Sequence, residues 1–154
     1  MNLLFIGDVF GSSGRSFLKA VLPELVEKYQ IDLTIANGEN AAGGAGLTGP
    51  VAQELFSMGV DVITSGNHIW DKKEIYQAID AEDKILRPAN YPPDVPGKGS
   101  GICTARDGTV VGVVNVCGRV FSPQSFDCPF RVLDQEISRL RDVTAVVVID
   151  FHGE

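Results

Sequence analysis

The sequence predicts an α/β domain whose sheet begins parallel and becomes mixed. Three observations carry this. Short apolar runs at residues 3–6, 32–36 and 60–63 alternate with segments whose apolar residues recur at helical spacing, the pattern of strand, helix, strand units with parallel strands. Each run then stops at a polar group: Gly7-Asp8, Asn37-Gly38-Glu39-Asn40 and Gly66-Asn67-His68-Ile69-Trp70-Asp71. Further on, two β-prone runs at 101–105 and 109–116 flank Asp107-Gly108, a hairpin signal that brings in antiparallel pairing.

Taken in order, residues 3–6 are expected to form a central parallel strand covered on both faces. Gly11, Ser12, Ser13 and Gly14 read as a flexible connection. Leu18, Val21, Leu22, Leu25, Val26 and Tyr29 follow at helical spacing, with Pro23 marking a kink or a second helical start. After the second strand, residues 41–50 hold too few large side chains to pack and are expected to lie as a loop over another element. Thr48 and Pro50 are suited to the start of the next helix, whose apolar stripe is Val51, Leu55 and Met58. The run at 60–63 is the third strand, and 72–81 a short helix. The proline-rich stretch 87–99 reads as a surface excursion. Leu133, Ile137 and Leu140 mark a last helix, and residues 143–149 a last buried strand running into Asp150-Phe151-His152.

Composition bounds the function. At 154 residues, 44% apolar and 21% charged, the chain suits one domain, residues 1–154, around one core. A formal charge of −7 excludes a protein that grips long nucleic acid by neutralising its backbone. No apolar run approaches the roughly 20 residues of a membrane helix, and residues 1–6 run into Gly7-Asp8 too soon for a signal peptide. Cys103, Cys117 and Cys128 are odd in number and lack metal-type spacing, which suits reduced thiols in a cytoplasmic protein.

The chemistry lies in the polar strand ends. Asp8, Glu39, Asn67 and His152 are oxygen and imidazole donors of the kind that hold manganese, iron or zinc. A carboxylate such as Glu39 can bridge two ions about 3.5–4 Å apart, the spacing of two-metal phosphoesterases, so the expected reaction class is phosphoester hydrolysis. Each residue also has a plain structural reading. Asp8 can cap a helix, Glu39-Asn40 and Asn67-His68 can be turns, and His152 can be a core histidine. The glycines at 43, 44 and 46 lack the Lys-Ser/Thr that completes a phosphate-binding P-loop.

Gly7-Asp8-Val9-Phe10-Gly11, Gly38-Glu39-Asn40 with Ala41-Ala42-Gly43-Gly44, Gly66-Asn67-His68-Ile69-Trp70-Asp71, Arg87-Pro88-Ala89-Asn90-Tyr91-Pro92 and Asp150-Phe151-His152 together resemble the YmdB-like family of calcineurin-like metallophosphoesterases. The resemblance implies a mixed-sheet αββα sandwich, here incomplete at its C-terminal end. It also implies two divalent or trivalent transition metal ions, iron or manganese, and phosphodiesterase activity on small nucleotides such as 2′,3′-cyclic nucleotides. Carried onto this sequence, it makes Asp8 a ligand of one metal, Glu39 the bridge, and Asn67 and His152 ligands of the other. Asn40 would bind metal or substrate, and His68 would bind phosphate or protonate the leaving oxygen. Phe10 stands where the wider superfamily has a histidine, and Gly153 where the family commonly has alanine. A later Gly-Thr-His-Thr-His segment of the family has no counterpart, so the chain reads as an N-terminal portion that alone binds metal weakly and hydrolyses little.

Two other readings stay open. One is a non-catalytic nucleotide- or phosphate-binding module in which the glycine loop and helix N-termini hold the anion. The other is a scaffold that uses residues 87–99 as its contact surface. The expected partner is a small phosphodiester or cyclic nucleotide, with no membrane; self-association is left open.

Overall fold

A computed structural model describes residues 1–120, 122 and 124–153. Among the described residues, six strands and four α-helices follow one another as β1 (Leu3–Asp8), α1 (Gly11–Tyr29), β2 (Leu33–Asn37), α2 (Gly49–Ser57), β3 (Val62–Thr64), α3 (Ile75–Ala81), β4 (Ser100–Thr104), β5 (Val110–Cys117), α4 (Pro129–Arg141) and β6 (Val146–His152), with one 3₁₀ turn at Ile69–Asp71. They build two three-stranded sheets, ordered β1-β2-β3 and β4-β5-β6. The first is parallel throughout, and the second pairs β4 with β5 antiparallel and β5 with β6 parallel.

Strand periodicity sorts the side chains into four layers. Leu33, Ile35 and Val62 from the first sheet meet Val111 and Val113 from the second in the core between them. The opposite faces are covered by helices: Ala36 and Ile63 pack with Leu18, Leu22, Leu55, Ile75 and Ile79, while Val114 and Val116 pack with Leu133 and Leu140 of α4. The result is the expected αββα sandwich with its mixed sheet. Alternation by two residues assigns each side chain to a layer.

Several elements differ from the sequence reading. The strand at β1 is expected to be central, yet among the described residues it lies at an edge, with Phe5 exposed. Gly11 to Gly14 are expected to be a loose connection, but they form the first turn of α1. Pro23 sits inside that single continuous helix. A low-propensity Gly-Ser-Ser-Gly turn is helical here because Leu18 and Leu22 anchor the rest of α1 in the core, and packing outweighs propensity. The last strand begins at Val146 and continues through Asp150 to His152, half-exposed at the edge of its sheet.

Other expectations hold. Thr48 caps α2, its Oγ1 accepting from the Val51 N–H at 3.4 Å, with Pro50 in the first turn. The β4–β5 hairpin turns at Gly108, whose φ of 87° suits glycine. The stretch 87–99, by contrast, departs from the surface excursion expected of it: Arg87 and Asn90 are buried, and Arg87 donates to the carbonyls of Pro88, Val95 and Pro96. Cys103, Cys117 and Cys128 are free thiols. Among the described residues, no helix is long and apolar enough to cross a membrane.

Candidate functional site

The polar residues that end β1, β2, β3 and β6 meet at one end of the sandwich, between the sheets. Register explains why. In β5 and β6 the inward pairs Val111 with Val146 and Val113 with Val148 continue as Asn115 with Asp150 and Cys117 with His152. The inner row is apolar in the core and polar at its end. In β1 the register shifts between Ile6 and Asp8, so Asp8 instead of Gly7 pairs with Asn37. Such a bulge moves a side chain to the other face of a strand, and here it turns Asp8 toward the site.

Glu39 is the hub and is 2% exposed. Its Oε1 lies 3.4 Å from His152 Nε2 and accepts from Asn40 Nδ2 at 3.2 Å, while Oε2 faces the His68 backbone N–H at 3.5 Å. Asn40 Nδ2 also donates to Asp8 Oδ2 at 2.9 Å. His152 Nε2 reaches Asn67 Oδ1 at 3.0 Å. The His68 ring turns away, its Nδ1 held by Asp71 Oδ2 at 2.8 Å, and is partly exposed. Burial pushes the Glu39 carboxyl above its ordinary range, against the opposing pull of His152 and the His68 N–H. A Cβ at position 66 would overlap Glu39 Oε2 and crowd the His152 ring, so Gly66 is required by close approach.

Asp8, Glu39, Asn40, Asn67 and His152 are therefore brought together, with His68 beside them. The expectation of two transition metal ions is overturned. Among the described residues, no group of three or more His, Cys, Asp or Glu side chains is arranged to hold a metal ion. The reason lies in the pairing: Asp8 is engaged by Asn40, and His152 by Asn67 and Glu39, so the donors face one another instead of a common centre. This arrangement does not fit a dinuclear centre.

Sequence reasoning missed the residues that hold the cluster in place. Asn37 Oδ1 accepts from the Glu39 N–H at 3.1 Å, and its Nδ2 donates to the Ser65 carbonyl at 3.3 Å and to Asp150 Oδ2 at 3.1 Å. Fully buried Asn115 accepts from the Ser65 N–H at 3.0 Å and donates to the Asp150 carbonyl at 3.4 Å. These two amides join the sheets beneath the site. Their signal was parity: each occupies the inward position after two apolar ones, Leu33-Ile35-Asn37 and Val111-Val113-Asn115. Burial pushes up the Cys117 thiol and the Tyr91 phenol, keeping both neutral, and the Tyr91 hydroxyl lies 3.5 Å from the Asn67 carbonyl. The glycine loop packs beside the cluster, with the Gly11 and Gly44 N–H groups both donating to the Asn40 carbonyl. Arg15 binds Glu54 at 2.8 Å and the Ala41 carbonyl, fixing the loop to α1 and α2.

Two packed sheets between helical layers, with polar strand ends gathered at one side, define an α/β sandwich of the calcineurin-like phosphoesterase type. The chain belongs to the YmdB-like protein family, whose model matches residues 4–154. It is 47% identical, over its whole length, to the 2′,3′-cyclic-nucleotide 2′-phosphodiesterase of Bacillus subtilis (strain 168), spanning 58% of that relative. Among solved structures it is similar to a hypothetical protein from Thermus thermophilus, with a TM-score of 0.86 and 41% identity, covering all of this chain and 58% of the other. It is also similar to a phosphatase from Mycoplasma pneumoniae, with a TM-score of 0.88 and 32% identity, covering 99% of this chain and 55% of the other. The chain thus spans a little over half the length of these relatives.

Proposed function

We propose that this chain is a nucleotide- and phosphate-binding unit of the phosphodiesterase family to which it belongs. The observation that carries the reading is the partly exposed His68 ring, fixed by Asp71 beside the cluster of Asp8, Glu39, Asn40, Asn67 and His152. Amide and imidazole N–H groups are suitable donors to phosphate oxygens. With Nδ1 of His68 engaged by Asp71, its Nε2 is the ring atom left for a ligand. The N-terminus of α1 adds support, because it begins three residues after Asp8, has no capping side chain and carries no acidic residue in its first turn. Such an end favours an anion. The name of the Bacillus subtilis relative supports a small cyclic nucleotide as the ligand class. Three free cysteines support a reducing, cytoplasmic setting.

Binding of adenosine 2′-monophosphate to the 154-residue chain, followed by calorimetry, tests the reading. Saturable one-to-one binding that weakens about tenfold in His68→Ala, the loss of one charge-assisted contact, is expected. Absence of binding, or a His68→Ala isotherm identical to the parent, contradicts it.

A second reading is favoured by the His68–Asp71 pair at 2.8 Å. An imidazole oriented by a carboxylate can protonate the ester oxygen that leaves when water attacks phosphorus, so that one P–O bond forms, another breaks, and the proton passes to the leaving oxygen. Hydrolysis of 2′,3′-cyclic AMP that falls about 10²–10⁴-fold in His68→Ala is the outcome expected of such an acid. Undiminished turnover in that variant overturns the assignment.

A further inference from the structure

We propose that Trp70 and Tyr76 form a stacking platform for the base of a nucleotide whose phosphate meets the polar cluster, to which Tyr91 connects the platform. This rests on the phosphate-binding reading and gives it a ligand class. The Trp70 and Tyr76 rings lie 4.8 Å apart at 32°. Trp70 also meets Tyr91 edge-on at 6.0 Å, and Tyr91 meets Phe126 at 4.6 Å. Since the Tyr91 hydroxyl approaches the Asn67 carbonyl, the row of rings runs from solvent to the site.

Core packing accounts for only the inner part of this row. Phe126 is buried, and Tyr91 and one side of Trp70 pack against the main core, but Tyr76 is 42% exposed. The helix that carries it, α3, already docks through Ile75 and Ile79, which are 0% and 2% exposed. Tyr76 therefore adds an aromatic face that helix docking does not require. Trp70 lies two residues after His68, on the 3₁₀ turn that leaves the site. Lys73, Glu74 and Gln77 complete the rim of the open cleft above the two rings. A cation, a carboxylate and an amide beside the exposed Tyr76 ring and the half-buried Trp70 ring suit a flat heterocycle with donors and acceptors on its edge.

Trp70 is the chain's single tryptophan, so its emission reports on this cleft without interference. The test titrates the chain with adenosine 2′-monophosphate and with ribose 5-phosphate, taking affinity from calorimetry and location from Trp70 fluorescence. Base stacking on an aromatic side chain makes the nucleotide bind about 10-fold more tightly than the sugar phosphate. The nucleotide is also expected to quench Trp70. In Tyr76→Ala the ratio of the two affinities falls toward one, and in Tyr76→Phe it is kept. Tyr76→Leu, which retains apolar bulk without a π-face, replaces the alanine variant if that one fails to fold. Equal affinities with silent Trp70 emission, or a ratio unchanged in Tyr76→Ala and Tyr76→Leu, overturn the platform while leaving phosphate binding in place. Failure of both ligands to bind overturns the phosphate reading as well.

Discussion

Glu39 is held from several sides, and on the side facing Gly66 there is no room for a side chain. Adding a methyl group at Gly66 places it against Glu39 Oε2 and the His152 ring, and neither is the free end of a mobile surface chain. Overpacking of this kind costs about 1–3 kcal/mol. Gly66→Ala is expected to lose that much stability in urea titration and to weaken nucleotide binding with it. Stability within about 0.5 kcal/mol of the parent shows that the cluster is looser than described. At this scale, the sequence made the members of the polar cluster legible, because Asp8, Glu39, Asn40, Asn67, His68 and His152 interrupt apolar runs. Their mutual geometry was not legible. Residue types compatible with metal say nothing about whether Asp8 faces Asn40 or a shared ion, and that choice decided against the metal centre.

Among the elements, the joint between the two sheets matters most for the site. Asn115 on β5 supplies the acceptor for the Ser65 N–H just beyond β3 and a donor to Asp150 on β6. Asn115→Ala strands the buried Ser65 N–H, an effect worth about 1–3 kcal/mol. Chemical denaturation is expected to show this loss, and amide exchange at Ser65 is expected to speed up by more than the global change in stability explains. Equal acceleration across β2 and β5 contradicts a local role. Helix and strand types were readable from periodicity, but neighbours were not. The apolar run of β1 looks the same at an edge as in the centre, and Gly11 to Gly14 look like a loop until Leu18 and Leu22 are docked.

On the scale of the whole molecule, the shared core between the sheets and the Asn37 and Asn115 links lead us to propose that the chain folds as one domain. A single unfolding transition, coincident by fluorescence and circular dichroism, is the expected result. Two separated transitions contradict it. Stability also has a predicted acid dependence. Asp107, exposed in the β4–β5 turn, accepts from the Thr109 N–H and pairs with the amino terminus at 3.0 Å, which holds its carboxyl at about 2. Its folded value lies below its ordinary value of 3.8, so its contribution is present above that value and is lost as pH falls through about 2. Asp107→Asn is therefore expected to flatten the loss of stability between about pH 4 and pH 2. An unchanged acid limb in that variant assigns the dependence to other carboxylates.

We propose that the polar cluster, paired within itself, binds a nucleotide phosphate without a dinuclear metal centre. The most direct measurement is a calorimetric titration of adenosine 2′-monophosphate into the purified chain before and after exhaustive chelation, with metal content determined on the same samples. One binding site with the same affinity in both samples, and less than one equivalent of bound transition metal, is expected. Two equivalents of tightly held metal, with nucleotide binding that disappears on chelation and returns on adding manganese or iron, would contradict it.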